Sequence, residues 1–314
     1  MMRIGLVVDA SCDLPDSVLE AHGIAILPSM LQFDRRSWLD ERDPEQTLEL
    51  YRRFIADRAV VAHSSACGVD EIREIFLRDL VLDFDRVLVI TACAELSDMF
   101  ARATEASYAI LQSYRERREE EAQGGGFSLR VLDSGSVAAG EAVVVCRALQ
   151  LMQGRAGGFE AMRRALRAEV ERATCLIVPG DPWYLRRRGI DGRGRGMGRL
   201  DHALAIVSDV KPVIELQGGR RRIIARRRGF RAACAEALGR ASQAVEQGLG
   251  GGAVTLSFGG DPRIIREMPA YQAFESRVAA ARLDLHFAVM SATMGARLGP
   301  GALSVAWIAG DAPG

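Results

Sequence analysis

Lysine is almost missing from this sequence: Lys211 is the only one among 41 basic residues, and all the others are arginine. So uniform a preference reads as coding bias rather than chemistry, and it leaves Lys211, in the phrase S-D-V-K-P-V-I (Ser208 to Ile214), as the exception. Net charge is also missing. The 41 acidic residues cancel the 41 basic ones, so no overall field draws the chain to nucleic acid or to an anionic membrane. The six cysteines, at 12, 67, 93, 146, 175 and 234, contain no C-x-x-C pair, which argues against a disulfide framework or a zinc site and for small-residue packing in a reduced setting. No apolar run approaches the ~20 residues of a membrane span, and no basic segment followed by a long apolar one opens the chain. The expectation is a cytoplasmic protein with no membrane span.

What is present is a regular alternation. Ile4 to Val8 is a short apolar run ending at Asp9, followed by a helix from Pro15 with Asp13 as its cap. Ile24 to Met30 reads as a strand, and Pro44 to Ala56 as a helix capped by Asp43. Further strands are expected at Val60 to Ala62, Arg86 to Thr91 and Ser128 to Leu132, each followed by a helical segment. Short strands separated by helices argue for a mostly parallel sheet with helices on both faces. The glycines of Gln153 to Gly158 interrupt a helical pattern. They divide 314 residues into an expected N-terminal α/β domain, 1–154, and a C-terminal, sandwich-like α/β domain, 155–314.

Several loops beside these strands are rich in small hydroxyl, Asp or Gly residues: Val7 to Pro15, His63 to Gly68, Ala94 to Phe100, Leu132 to Gly140 and Ala296 to Leu303. Ligands of open α/β sheets sit outside the carboxyl ends of the strands, so such loops converge on one crevice. Asp9 suits hydrogen bonding to loop amides at a strand end. His22, His202 and His286 show no ligand spacing and are expected to be structural. The cationic stretch Arg186 to Gly196 lacks interleaved aromatics and reads as a solvated loop, not a nucleic-acid surface.

Taken in order, these loops resemble the DegV family, the fatty-acid-binding proteins of bacteria. The family's T-D-S-T-S-D-L-P falls on Val8 to Pro15, matching Asp9, Asp13, Leu14 and Pro15. Its T-S-Q-P-S falls on His63 to Cys67 and keeps Ser64, and its S-S-x-L-S-G-T-Y falls on Cys93 to Phe100 and keeps Leu96 and Ser97. The D-S pair is Asp133 and Ser134, K-P-I is Lys211 to Val213, and T-H-x-G-P-G-A falls on Ala296 to Ala302. The resemblance implies two α/β domains with a long-chain fatty acid in a tunnel between them. It implies a monomeric carrier that is not itself an enzyme, needs no cofactor beyond the bound fatty acid, and presents the carboxylate to a partner kinase. The head-group residues it implies are Ser97, His63 at the family's threonine, Arg297 at its histidine, Ser64, and Arg228 on a later strand, with Arg226 and Arg227 as register alternatives. Arginine pairs with carboxylates in bidentate fashion, so an acidic head group is still served by these replacements. Asp98 and Met99 stand where the family has glycine and threonine. Two alternatives stay open: a divergent phosphoryl or acyl transferase using His63 as base, and a ligand-free interaction protein with Met99 blocking the tunnel. No Walker-type loop accompanies the first.

Overall fold

The computed structural model describes residues 2–60, 62–154, 158–188 and 209–310. His202 and most of the Arg186 to Gly196 stretch lie outside the described residues. The strands are β1 (Ile4–Asp9), β2 (Ala25–Leu27), β3 (Ser29–Phe33), β4 (Arg36–Asp40), β5 (Ala62–Ala66), β6 (Arg86–Thr91) and β7 (Ser128–Asp133). They continue with β8 (Ala173–Val178), β9 (Val210–Gln217), β10 (Arg220–Arg228), β11 (Leu249–Phe258), β12 (Asp284–Val289) and β13 (Leu303–Ala309).

The first sheet is parallel, in the order β2-β1-β6-β7. Residues Val87 to Thr91 of β6 are buried without alternation, as expected where helices cover both faces. The second sheet has six strands in the order β10-β9-β8-β13-β11-β12. Only β11 and β12 pair in parallel within it. Helices Phe230–Gln247 and Pro269–Ala280 cover one face of this sheet. The helix Ala139–Gln153 lies against β8, β11 and β13 on the other face, and also meets β6 of the first sheet.

A third, antiparallel sheet, β4-β3-β5, lies apart from both. Sequence reading ends the strand near Ala62 and treats His63 to Gly68 as loop, whereas the structure runs β5 from Ala62 to Ala66. The cause is pairing with β3, which joins Ser29 to Ala66 and Gln32 to His63. A second correction concerns Asp13. The helix Asp16–Ala21 begins after Pro15 with no side-chain cap, because the Asp13 carboxylate is used elsewhere. Ser257 Oγ donates to its Oδ2 at 2.6 Å, and the Ser291 backbone N–H to its Oδ1 at 2.9 Å.

These bonds belong to a polar seam buried between the two larger sheets. Ser257 Oγ lies 2.7 Å from Ser304 Oγ, and Thr255 Oγ1 donates to the Ala139 carbonyl at 2.6 Å. Asp9 accepts from the Ser11 and Ala92 backbone N–H groups at 2.8 and 2.7 Å, the loop-amide role expected of it. Ser11 Oγ bonds Glu141 Oε2 at 2.6 Å, while Glu141 Oε1 has no partner. Burial drives the Glu141 carboxyl well above its ordinary value, and the neighbouring Asp9 charge pushes the same way.

Packing at the start of this helix leaves no room for a side chain on Gly140. A Cβ there would overlap Ser136 Oγ and lie 2.7 Å from Cys175 Cβ. Gly140→Ala is expected to lower unfolding free energy by about 1–3 kcal/mol, the usual cost of overpacking, despite alanine's better helix propensity. Urea denaturation measures this. Glu141 generates a second expectation. Above its ordinary value of 4.5 the unfolded chain loses this proton while the folded chain keeps it, so the contribution of Glu141 to stability falls as pH rises toward its folded value. Glu141→Gln should therefore gain on wild type as pH rises above 4.5 toward the folded value, by at most about 1.4 kcal/mol per pH unit. A pH-independent difference in denaturant midpoint would show that Glu141 is ionised in the folded protein.

Candidate functional site

The strand pleat decides which side chains of β5 meet the rest of the molecule. Ala62, Ser64 and Ala66 face inward, whereas His63 and Ser65 are exposed on the outer face. The inner face covers the helix Ala292–Leu298, in which every residue is buried. Gly295 lets this helix approach Tyr51, whose ring a Cβ at that position would overlap. Tyr51 Oη in turn donates to the Ser291 carbonyl at 3.3 Å.

Near the end of this helix stands Arg297, only 8% exposed. Its Nε donates to Ser64 Oγ and its NH1 to the Leu96 carbonyl, both at 2.8 Å. Ser97 follows Leu96 directly and is half-buried. Its backbone N–H bonds the Cys93 carbonyl at 3.0 Å, and its Oγ accepts from the Met99 N–H at 3.3 Å. Asp9 supplies negative charge from the end of β1, and the Arg297 charge partly offsets the rise that burial imposes on the Asp9 carboxyl. Loops from β1 and β6, the strand β5 and the last turn of one helix thus meet around a single buried guanidinium.

Three of the five residues expected from sequence, Ser64, Ser97 and Arg297, gather here. His63 does not join them, because it shares a strand with Ser64 and so points the other way. Arg228 is exposed and pairs with Val210, at the end of the β9–β10 hairpin opposite the Gly218–Gly219 turn. Lys211 forms an ion pair with Asp209 at 3.2 Å. Met99 packs beneath the first sheet with Ile72 and Ala103. All six cysteines are buried and unpaired, and burial pushes the Cys67 and Cys93 thiols up to about 11. Among the described residues no group of three or more His, Cys, Asp or Glu side chains could hold a metal ion. None of the described helices is long and apolar enough to cross a membrane.

Sequence reading missed Asp40, Arg42, Tyr51 and Thr293. Asp40 at the end of β4 and Arg42 just beyond it are buried beside a short hairpin that no turn motif announces, and they meet their partners only in three dimensions. Glu141 could have been noticed, as the lone acid in the apolar run A-A-G-E-A-V-V-V.

A cleft of about 480 Å³ opens beside the Ser97 loop, between the end of the first sheet and the β9–β10 turn. Phe100, Leu132 and Val170 give it a buried or half-buried apolar side, and exposed Arg167 and Glu171 a charged one. The Gly219 N–H closes one end by donating to the Gly135 carbonyl at 2.8 Å.

This architecture has known counterparts. A stearic-acid-binding protein from Eubacterium ventriosum superposes with a TM-score of 0.79 at 21% identity, over 98% of each chain. The fatty acid kinase B3 protein of Streptococcus pneumoniae, loaded with linoleic acid, does so with a TM-score of 0.69 at 17% identity, over 98% of this chain and all of that one. In sequence, a DegV domain-containing protein of Xanthomonas campestris is 31% identical over 308 residues, 98% of both chains. With the profile described as "Uncharacterised protein, DegV family" matching residues 3–310, the chain belongs to the DegV family.

Proposed function

We propose that this protein is a fatty-acid carrier whose acidic head group is held by Arg297, Ser64 and Ser97. The observation that carries this reading is the buried Arg297 guanidinium, fixed at Nε by Ser64 Oγ and at NH1 by the Leu96 carbonyl, next to Ser97. A guanidinium oriented in this way is suited to a carboxylate, and a charge-assisted bond there is worth more than a neutral one. The hydroxyl that the family resemblance assigns to position 63 is supplied by the next residue, Ser64, which faces inward. His63 and Arg228, both exposed, are then accessory to this contact.

The acyl chain occupies the cleft between residues 1–154 and 155–314, against Phe100, Leu132 and Val170. A volume of about 480 Å³ lies in the range of small-molecule pockets, and each buried CH₂ contributes about 0.8 kcal/mol. Structural similarity to a protein named as part of a fatty acid kinase supports a further step. In that step the carrier presents its carboxylate to a separate kinase in the cytoplasm and performs no catalysis itself.

Native mass spectrometry of the purified protein, with organic extraction, tests the reading. It is expected to find one fatty acid per chain, and a protein that is empty and takes up none would overturn it. In fluorescence displacement with palmitate, Arg297→Ala is expected to weaken binding by about 10- to 100-fold, from a hydrogen bond to a charged group worth roughly 1.5–3 kcal/mol. Ser64→Ala should weaken it less, and His63→Ala should leave the Kd within about twofold. A His63→Ala loss as large as that of Arg297→Ala would return His63 to the site.

A further inference from the structure

The helix that carries Arg297 has seven residues, Ala292–Leu298. Helices shorter than ~12–15 residues are marginal on their own, so its place is set by what holds it. Most of that hold comes from the N-terminal part of the chain, at the opposite end of the helix from Arg297. Asp40, 2% exposed at the end of β4, accepts through Oδ2 from both the Thr293 backbone N–H, at 2.6 Å, and Thr293 Oγ1, at 2.7 Å. Its Oδ1 accepts from the Arg42 backbone N–H at 3.2 Å. Ser291 Oγ caps the Met294 N–H at 3.1 Å, and Asp13 Oδ1 takes the Ser291 N–H. Asp13 also joins the two large sheets through Ser257, whereas among the described residues the side-chain hydrogen bonds of Asp40 go to this helix and Arg42.

We propose that Asp40 is a positioning residue for head-group selection: by fixing Thr293 it sets the rotation of the helix and thereby aims Arg297 between Ser64 and the Leu96 carbonyl. One residue of slip in an α-helix turns a side chain by about 100° and moves it about 1.5 Å. That is enough to take the guanidinium off both partners. The proposal rests on the head-group reading above and adds a residue that touches no ligand.

The test is the preference for palmitic acid over hexadecanol, which share a chain and differ in charge, measured as the ratio of Kd values on the full-length protein. Wild type should favour the acid, and Arg297→Ala should abolish the preference. If either fails, the head-group reading falls and the positioning role with it. If both hold, Asp40→Ala should cut acid affinity about tenfold while hexadecanol binding changes by less than about twofold. Asp40→Asn, which keeps an acceptor for the Thr293 N–H, should recover most of the loss. An unchanged ratio in Asp40→Ala, or equal loss of both ligands, overturns the proposal. Should Asp40→Ala fail to fold, Thr293→Val decides: it removes only the Oγ1 bond and should cost the acid about threefold. No change in its ratio would then sink the idea.

Discussion

The arrangement depends on one buried carboxylate. Asp13 leaves the first sheet at the end of the β1 loop and is fully enclosed. There it takes hydrogen bonds from Ser257 and Ser291 of the C-terminal half and faces Arg42 NH1 at 3.5 Å. A charge so enclosed is tolerated only when its oxygens are satisfied, because breaking such a set strands an uncompensated charge at a cost of about 3–5 kcal/mol. The two large sheets are therefore docked by a polar contact of fixed geometry as well as by apolar area. Ser257, Ser304, Thr255, Ser11 and Glu141 extend that contact into a seam.

Polar seams are more specific than apolar ones, since each donor must find its acceptor. Here that specificity reaches the residues proposed to hold the head group. Asp13 and Asp40 hold the front of the Ala292–Leu298 helix, Tyr51 lies along Gly295, and the last turn delivers Arg297 to Ser64 and Leu96. The guanidinium is bound by groups from β5 and from the loop after β6. Its position thus reports how the N-terminal sheets sit on the C-terminal half. On the proposed reading, the charged contact with the acid is coupled to the seam between the two halves.

Departures from the family's usual loops look different once the side chains have directions. In sequence a histidine at 63 stands in place of the family's hydroxyl, yet the pleat turns it to solvent and brings Ser64 inward. Arginine at 297 in place of histidine brings a longer cation to Ser64 Oγ and the Leu96 carbonyl. Met99 fills space under the first sheet, on the side where Ile72 and Ala103 pack.

The α/β character and the strand β6 were legible from the chain alone, because periodicity and apolar content are local properties. The family was legible too, since its motifs recur in order. Asp9 is legible in part because a carboxylate at a strand end bonds an amide two residues away, that of Ser11, although its second bond comes from the distant Ala92 N–H. Asp13, by contrast, looked like a cap in sequence and proved to be a bridge to residues more than two hundred positions away. The hairpin of β3 and β4, the strand character of β5 and the opposite facing of His63 and Ser64 depend on pairing between segments that composition does not link. Long-range pairing and burial decide which oxygen meets which donor, and so only the tertiary structure could join Arg297 to Ser64 and Asp40 to Thr293.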